Sequence, residues 1–250
     1  MGESRITLRS MRATTNPTTF VLVHGAWSGG WCYARVAALL RSRGHTVFTP
    51  TLTGQGERAH LFSGAINLTT HIEDVLGVFH YERLSGVILA GHSYGGMVIT
   101  GVADRIADKI KALAYLDAFV PEDGQSLFDI NIPANTQRFL LGAGASGGLS
   151  VPAPSAAYFG VNAADAATVD ALATPFPLGC FTEKLALTGA CRTVAKHLYV
   201  HGTVLPRESP FRPFYERALA AGWSAHALSS GHHVMLDEPE KTAELLETMV

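Results

Sequence analysis

Cysteine is scarce in this chain and charge is thin: 3 of 250 residues are cysteine, and 16% are Asp, Glu, Lys or Arg, against about 25% in a typical soluble protein. Cys32, Cys180 and Cys191 form no Cys-x-x-Cys pair and leave an odd thiol. That argues against a zinc site or a disulfide framework and for a reducing, cytoplasmic setting. A formal net charge of -2 with scattered Lys and Arg provides no basic stripe to neutralise phosphates, so nucleic acid is not an expected partner. Also missing is any apolar run long enough for a signal peptide or a membrane span. The first nineteen residues, with Arg5, Arg9, Arg12 and many threonines, read as a loose N-terminal segment, and Met11 is an alternative start. Hydrophobic residues make up 47% of the chain, enough for one large core. One domain over residues 20–250 is expected, serving a small molecule, with a homodimer as a possible assembly.

Apolar runs alternate with helical periodicity along the first half. Phe20-Val21-Leu22-Val23 reads as a strand running into the loop His24-Gly25-Ala26-Trp27, and Trp31 to Arg43 carries Val36, Leu39 and Leu40 on one helical face before Gly44. Thr46 to Pro50 is the next strand. Thr70 followed by Glu73 has the form of a capping box opening a helix through Phe79. Val87 to Ala90 and Ala112 to Asp117 are further strands, the second ending on an acid. Such alternation implies crossovers and a parallel sheet, with functional residues at the carboxyl ends of strands. From Pro121 to about Ala190 the rhythm breaks into prolines and a Gly/Ala/Ser-rich centre. Its apolar residues, Phe128, Phe139, Tyr158 and Phe159 among them, need something to cover, so the segment reads as a lid, or else as an insertion that only thickens the core. Beyond it, His197 to Val200, Phe211 to Ala221, Ala225 to Leu228 and Glu240 to Met249 restore strand, helix, strand and helix, the last helix entered through Pro239.

The chain turns on Gly91-His92-Ser93-Tyr94-Gly95. A strand precedes it and a helix follows, so Gly-x-Ser-x-Gly here has the context of a nucleophile elbow, a sharp turn that lifts a serine above the sheet edge. A serine needs an imidazole to accept its proton and an acid to orient the imidazole. The loop Gly231-His232-His233 after the last strand offers the base. The oxyanion formed on attack needs two N–H donors, one following the serine and one in the loop after the first strand: Tyr94 and Ala26. Gly25 lets the Ala26 amide turn inward, and His24 reads as structural.

These stretches, with Gly29-Gly30-Trp31 and Gly231-His232-His233-Val234-Met235-Leu236, resemble the α/β-hydrolase superfamily, and within it the small esterases related to plant methylesterases and hydroxynitrile lyases. The resemblance implies an α/β-hydrolase fold, a mostly parallel sheet flanked by helices with a lid at about 121–190, and a base at His232 rather than His233. The lyases carry threonine where this chain has Gly25 and lysine where it has His233; both departures imply an esterase. The acid is where the pattern breaks. Relatives place an aspartate in the loop after the penultimate strand, and here that slot holds Val204 or Leu205, with no carboxylate before Glu208. Asp117, at the end of the strand beside the nucleophile strand, is the favoured acid; Glu208 is the alternative, and no acid at all is the third possibility. The expectation is a cofactor-free, metal-free serine esterase acting through an acyl-enzyme on a small neutral, apolar or aromatic ester, with Trp27, Phe119, Phe128 and Phe159 in the pocket. A carbamate or amide hydrolase, a non-catalytic receptor and a cofactor-free lyase are the alternatives.

Overall fold

The computed structural model describes residues 17–250; the expected loose segment therefore lies largely outside the described residues, and Met11 with it. Six strands form one sheet: β1 (Thr19–Val23), β2 (Thr46–Phe48), β3 (Val87–His92), β4 (Ile110–Leu116) and, beyond an insertion, two more. The insertion carries a short antiparallel pair, β5 (Ser150–Val151) with β6 (Phe176–Pro177); β7 (Lys196–Gly202) and β8 (Ser224–Leu228) then complete the main sheet in the order β2-β1-β3-β4-β7-β8. Each neighbouring pair in it is parallel. Period-two alternation sorts the side chains: Val21, Val23 and Leu89 join the core on one face, while Phe20, Leu22, Ile88 and Ala90 join that on the other. Both faces of these strands are buried, which is why they read as unbroken apolar runs. A large-to-small change such as Leu22→Ala should cost about 2–5 kcal/mol.

Helices α1 (Ala34–Ser42), α2 (Leu68–Tyr81) and α3 (Gly95–Ile106) come from the first half. The start of α2 differs from the expected Thr70/Glu73 box. Asn67 is the cap: its carboxamide oxygen accepts from Thr70 N–H at 3.0 Å, and Thr70 Oγ1 accepts from Asn67 N–H at 3.3 Å. Asn is as good a cap as Ser, and Thr70 here serves as the reciprocating third residue. A turn of 3₁₀-helix, Gly30–Tyr33, also precedes α1, so the helix proper begins later than its periodicity predicts.

The insertion contains α4 (Leu127–Ile130), α5 (Pro133–Gly144), α6 (Ala166–Leu172) and α7 (Gly179–Thr182). After it come α8 (Arg212–Ala220), a single turn α9 (Val234–Asp237) that the sequence pattern does not announce, and α10 (Pro239–Glu247), which starts on proline as expected. Trp27 fastens the insertion to the sheet edge. Its indole N–H donates to Val151 O at 3.0 Å, its carbonyl accepts from Thr174 N–H, and its rings pack against Phe139, Phe159, Phe176 and Phe181.

Candidate active site

The carboxyl ends of β1, β3 and β4 meet at one point, and the backbone is strained there. Among the described residues, four non-glycine residues have positive φ, and three of them, Trp27 (63°), Ser93 (54°) and Asp117 (44°), each follow one of those strands. Left-handed backbone is disfavoured for side chains with a Cβ and persists where the surroundings impose it, often at functional sites. At Ser93 the cause is the elbow. A Cβ at Gly95 would sit 2.7 Å from Val23 O, so the turn closes only because that residue is glycine.

His232 lies between two phenyl rings, Phe211 (centroids 4.6 Å, 9°) and Phe159 (5.5 Å, 26°), and its backbone N–H donates to Phe159 O at 2.8 Å. His92, the variable residue of the Gly-x-Ser-x-Gly run, donates its Nε2–H to His232 O at 2.9 Å. The imidazole is thus held from the elbow, the insertion and the α8 side. Its Nδ1–H donates to Asp117 Oδ2 at 2.7 Å, leaving Nε2 as the free lone pair. Burial, with His233, Arg207 and His201 nearby, holds His232 well below the ordinary imidazole range, so it is neutral at pH 7. Burial pushes Asp117 up, opposed by hydrogen bonds from His201 and Gly202.

Asp117, Ser93, His232, Ala26 and Tyr94 are therefore brought to one place, and the last four line a single cavity. No hydrogen bond joins the Ser93 hydroxyl to His232 among the described residues; such contacts commonly tighten only when substrate binds. The amides of Ala26 and Tyr94 have no backbone acceptor among the described residues. Tyr94 is held from behind by His71, which donates Nε2–H to Thr53 O at 3.0 Å and accepts from the Tyr94 hydroxyl at 3.0 Å. Buried His24 is fixed likewise: Nε2 accepts from Leu52 N–H and Nδ1–H donates to Gly25 O at 2.7 Å, orienting the peptide before Ala26. It is structural, as expected, and burial lowers it to about 4.

Two expected site residues are elsewhere. Glu208 is exposed and makes no contact with His232; only its backbone carbonyl is engaged, by Arg207. Phe128 is outside the cavity, packing on Phe181 from an outer groove it shares with Leu140 and Leu141. A four-residue α4 turns it away while its neighbour Leu127 faces in. Trp27, Phe119 and Phe159 do line the cavity. So do Tyr158, expected among the apolar residues of the lid, and Asn131, Asn135 and Arg207, which the sequence pattern does not single out. Asn131 and Arg207 lie between elements and Asn135 is one polar residue in the first turn of α5, so no periodicity or motif singles them out. The Arg207 guanidinium lies 3.9 Å over the Tyr158 ring, and the Tyr158 hydroxyl donates to Asn135 Oδ1 at 2.6 Å. Among the described residues no group of His, Cys, Asp and Glu is arranged to hold a metal ion.

A Cβ at Gly25 would lie 2.8 Å from His92 Nδ1 and 2.8 Å from Ser93 Cβ, so a side chain here would crowd the elbow. The position where the resembling lyases carry threonine is closed to it in this packing.

The chain is similar to known proteins along most of its length. The model of the alpha/beta hydrolase family matches residues 20–245. A carbendazim hydrolyzing esterase of Nocardioides sp. (strain SG-4G) is 46% identical over 240 residues, covering 92% of this chain and 98% of that protein. Methylesterase 2 of Arabidopsis thaliana is 32% identical over a shorter stretch, 43% of this chain and 41% of that protein. Among solved structures, an extracellular alpha/beta-hydrolase from a Paenibacillus species, described as sharing structural and functional homology with tobacco salicylic acid binding protein 2, superposes with a TM-score of 0.81. It is 29% identical and is matched over 93% of this chain and 99% of its own. The family model spans most of the chain and the parallel sheet fits it: the chain belongs to the alpha/beta hydrolase family.

Proposed function

We propose that this chain, a carboxylic ester hydrolase, works as a serine esterase through an acyl-enzyme, with Ser93 as nucleophile, His232 as base and acid, and Asp117 orienting His232. The observation that carries this reading is an imidazole hydrogen-bonded to a buried carboxylate and lining the same cavity as an elbow serine. Ser93 Oγ bonds to the ester carbonyl carbon as its proton passes to His232 Nε2. The oxyanion lies on the amides of Ala26 and Tyr94. Collapse breaks the bond to the alkoxy oxygen, which takes the proton from His232 and leaves as alcohol. Water repeats the sequence and frees the acid and the serine. Asp117 stabilises the imidazolium at each stage while itself staying ionised.

The substrate we propose is a small neutral ester with an apolar or aromatic acyl group. Trp27, Phe119, Phe139, Phe159, Phe181 and Phe211 supply an aromatic wall, and a relative named as a carbendazim hydrolyzing esterase supports a small-molecule substrate. The one residue of fixed charge in the lining, Arg207, is engaged over Tyr158 and by the carbonyls of Tyr158 and Glu208. Phe139, Tyr158 and Phe159 of the insertion line the cavity beside Ser93. That lining supports reading residues 121–190 as a lid over the site. A single chain supplies all of this machinery, and three buried free thiols fit a cytoplasmic setting.

The test is a pre-steady-state burst of p-nitrophenol from a short aromatic p-nitrophenyl ester, with a phosphonate probe labelling Ser93. Ser93→Ala should lose burst, label and turnover. Turnover surviving in Ser93→Ala would overturn the reading. For the substrate, a pair of esters differing by one terminal carboxylate should show the higher kcat/KM for the neutral member, because a charged acyl group loses its hydration without gaining a partner.

A further inference from the structure

Asp117 has two imidazole donors. While Oδ2 faces His232, Oδ1 accepts from His201 Nδ1–H at 2.7 Å and from Gly202 N–H at 3.1 Å. The arrangement follows from strand pairing. Leu116 is the last residue of β4 and lies opposite Val200 of β7, and Asp117 N–H donates to Val200 O at 2.6 Å, so the residue after each meets the other. His201 is itself fixed. It is buried, and its ring stacks on Tyr215 of α8 (5.4 Å, 28°). It is absent from the lining of the Ser93 cavity, so it meets no substrate.

The need for such a partner is physical. The terminal torsion of an aspartate is broad, so one hydrogen bond leaves the carboxylate free to rock. Asp117 is wholly buried, and a buried anion is tolerated only when its lone pairs are used. We propose that His201 is a positioning residue of the hydrolase: it pins Oδ1 so that an acid displaced from the usual loop presents Oδ2 to His232 in the plane the base requires. This rests on the triad reading above. Burial raises the Asp117 carboxyl, and the hydrogen bond from His201 is the largest effect pulling it back. Its loss thus favours a neutral Asp117 as well as a mobile one. The titratable and charged groups around the pair are His232 and His92 on the elbow side, Tyr215 on α8, Tyr199 on β7 and Arg207 beyond it.

The experiment compares His201→Phe, which keeps the ring on Tyr215 but has no donor, with His201→Asn, whose amide nitrogen occupies the Nδ1 position. With a neutral p-nitrophenyl ester, His201→Phe should lose roughly 10- to 100-fold in kcat, the scale of a misplaced catalytic group, with KM unchanged and the acid limb of kcat moved to higher pH. His201→Asn should recover most of the loss. A folded His201→Phe with wild-type kcat and pH profile would overturn the proposal. Should His201→Phe not fold, the wild-type enzyme decides. Nitrogen-15 NMR must find His201 protonated at Nδ1, and an Nε2–H tautomer sinks the idea because Nδ1 could not then donate. Activity persisting in Ser93→Ala would instead condemn the triad reading, whereas inactive Ser93→Ala and Asp117→Asn beside an unimpaired His201→Phe would condemn only the role of His201.

Discussion

The ends of β4 and β7 lie side by side in the sheet, and they divide labour in an unexpected way. The loop after β7 is where resembling enzymes hold their acid, yet its Val204 is about half exposed (54%) and Glu208 faces solvent. The end of β4 holds Asp117, fully buried, at a left-handed φ, with both oxygens engaged. What β7 contributes is donors to that acid, His201 and the Gly202 amide. The proposed chemistry requires a carboxylate oxygen at His232 Nδ1, and in this chain the end of β4 supplies it. In the proposed triad, moving the acid one strand over exchanges a loop site for a buried one, which in turn needs more hydrogen bonds to keep the charge.

The largest test of that contrast removes the acid. Asp117→Asn should cost up to roughly 10⁴-fold in kcat, because an amide in place of Oδ2 favours the wrong imidazole tautomer. Unfolding temperature and circular dichroism should show the fold retained. His232→Ala should lose several orders of magnitude as well, since members of a triad act as a unit, and His233→Ala should be far milder. His233 packs edge-on to His232 and makes no hydrogen bond with Asp117. A dead His233→Ala beside an active His232→Ala would reverse the assignment.

The comparison also shows what a sequence exposes. Strands and elbow were legible because their signals are local: apolar runs such as Phe20 to Val23, and glycines at fixed distance from Ser93. The proposed base, His232, could be singled out because a histidine in the last loop is where the fold delivers one. The choice between Asp117 and Glu208 was not legible, since it depends on the register that sets Leu116 against Val200, a pairing 84 residues apart in the chain. His201 and His71 were hidden for the same reason. Each acts through a partner from another element, Asp117 and Tyr94, and neither carries a local pattern. Phe128 was misplaced because composition says that a ring must be buried but not on which side of a single helical turn.

A second test tries to move the acid back. Adding Val204→Asp to Asp117→Asn should recover roughly 10- to 100-fold of the lost kcat, because Val204 sits in the usual slot, its N–H bonded to Ser230 O two residues before His232. No recovery would mean that this loop no longer points at Nδ1.

The pH profile gives a smaller and sharper reading. An ordinary imidazole of pKa 6.5 would be about three-quarters protonated at pH 6 and lose activity accordingly. Burial lowers His232 well below that value, so protonation requires stronger acid. Thus kcat/KM at pH 6 should stay within about twofold of its value at pH 7.5, and the acid limb should lie below 6.5. Buried His24, His71 and His233, each lowered to about 4, act on stability in the same window. They are neutral in the fold and titrate near 6.5 when unfolded, so stability is full above 6.5 and declines as pH falls toward 4. A thermal melt at each pH separates the two effects.

The smallest effect belongs to the other carboxylate. Glu208 is exposed, and Arg207 Nη1 donates to its backbone carbonyl, a contact that survives any side-chain change. A solvated charge that touches neither His232 nor the cavity has little to give, since water screens it at this distance. Glu208→Gln should therefore leave kcat and KM within about twofold of wild type, and it should remain silent when combined with Asp117→Asn. A loss of tenfold or more in the single variant would mean that the β7 loop swings in when substrate binds and that Glu208 shares the acid's task. If the double variant falls well below Asp117→Asn alone, Glu208 is the group sustaining the residual activity, and the division between the two strand ends is less complete than the buried Asp117 implies.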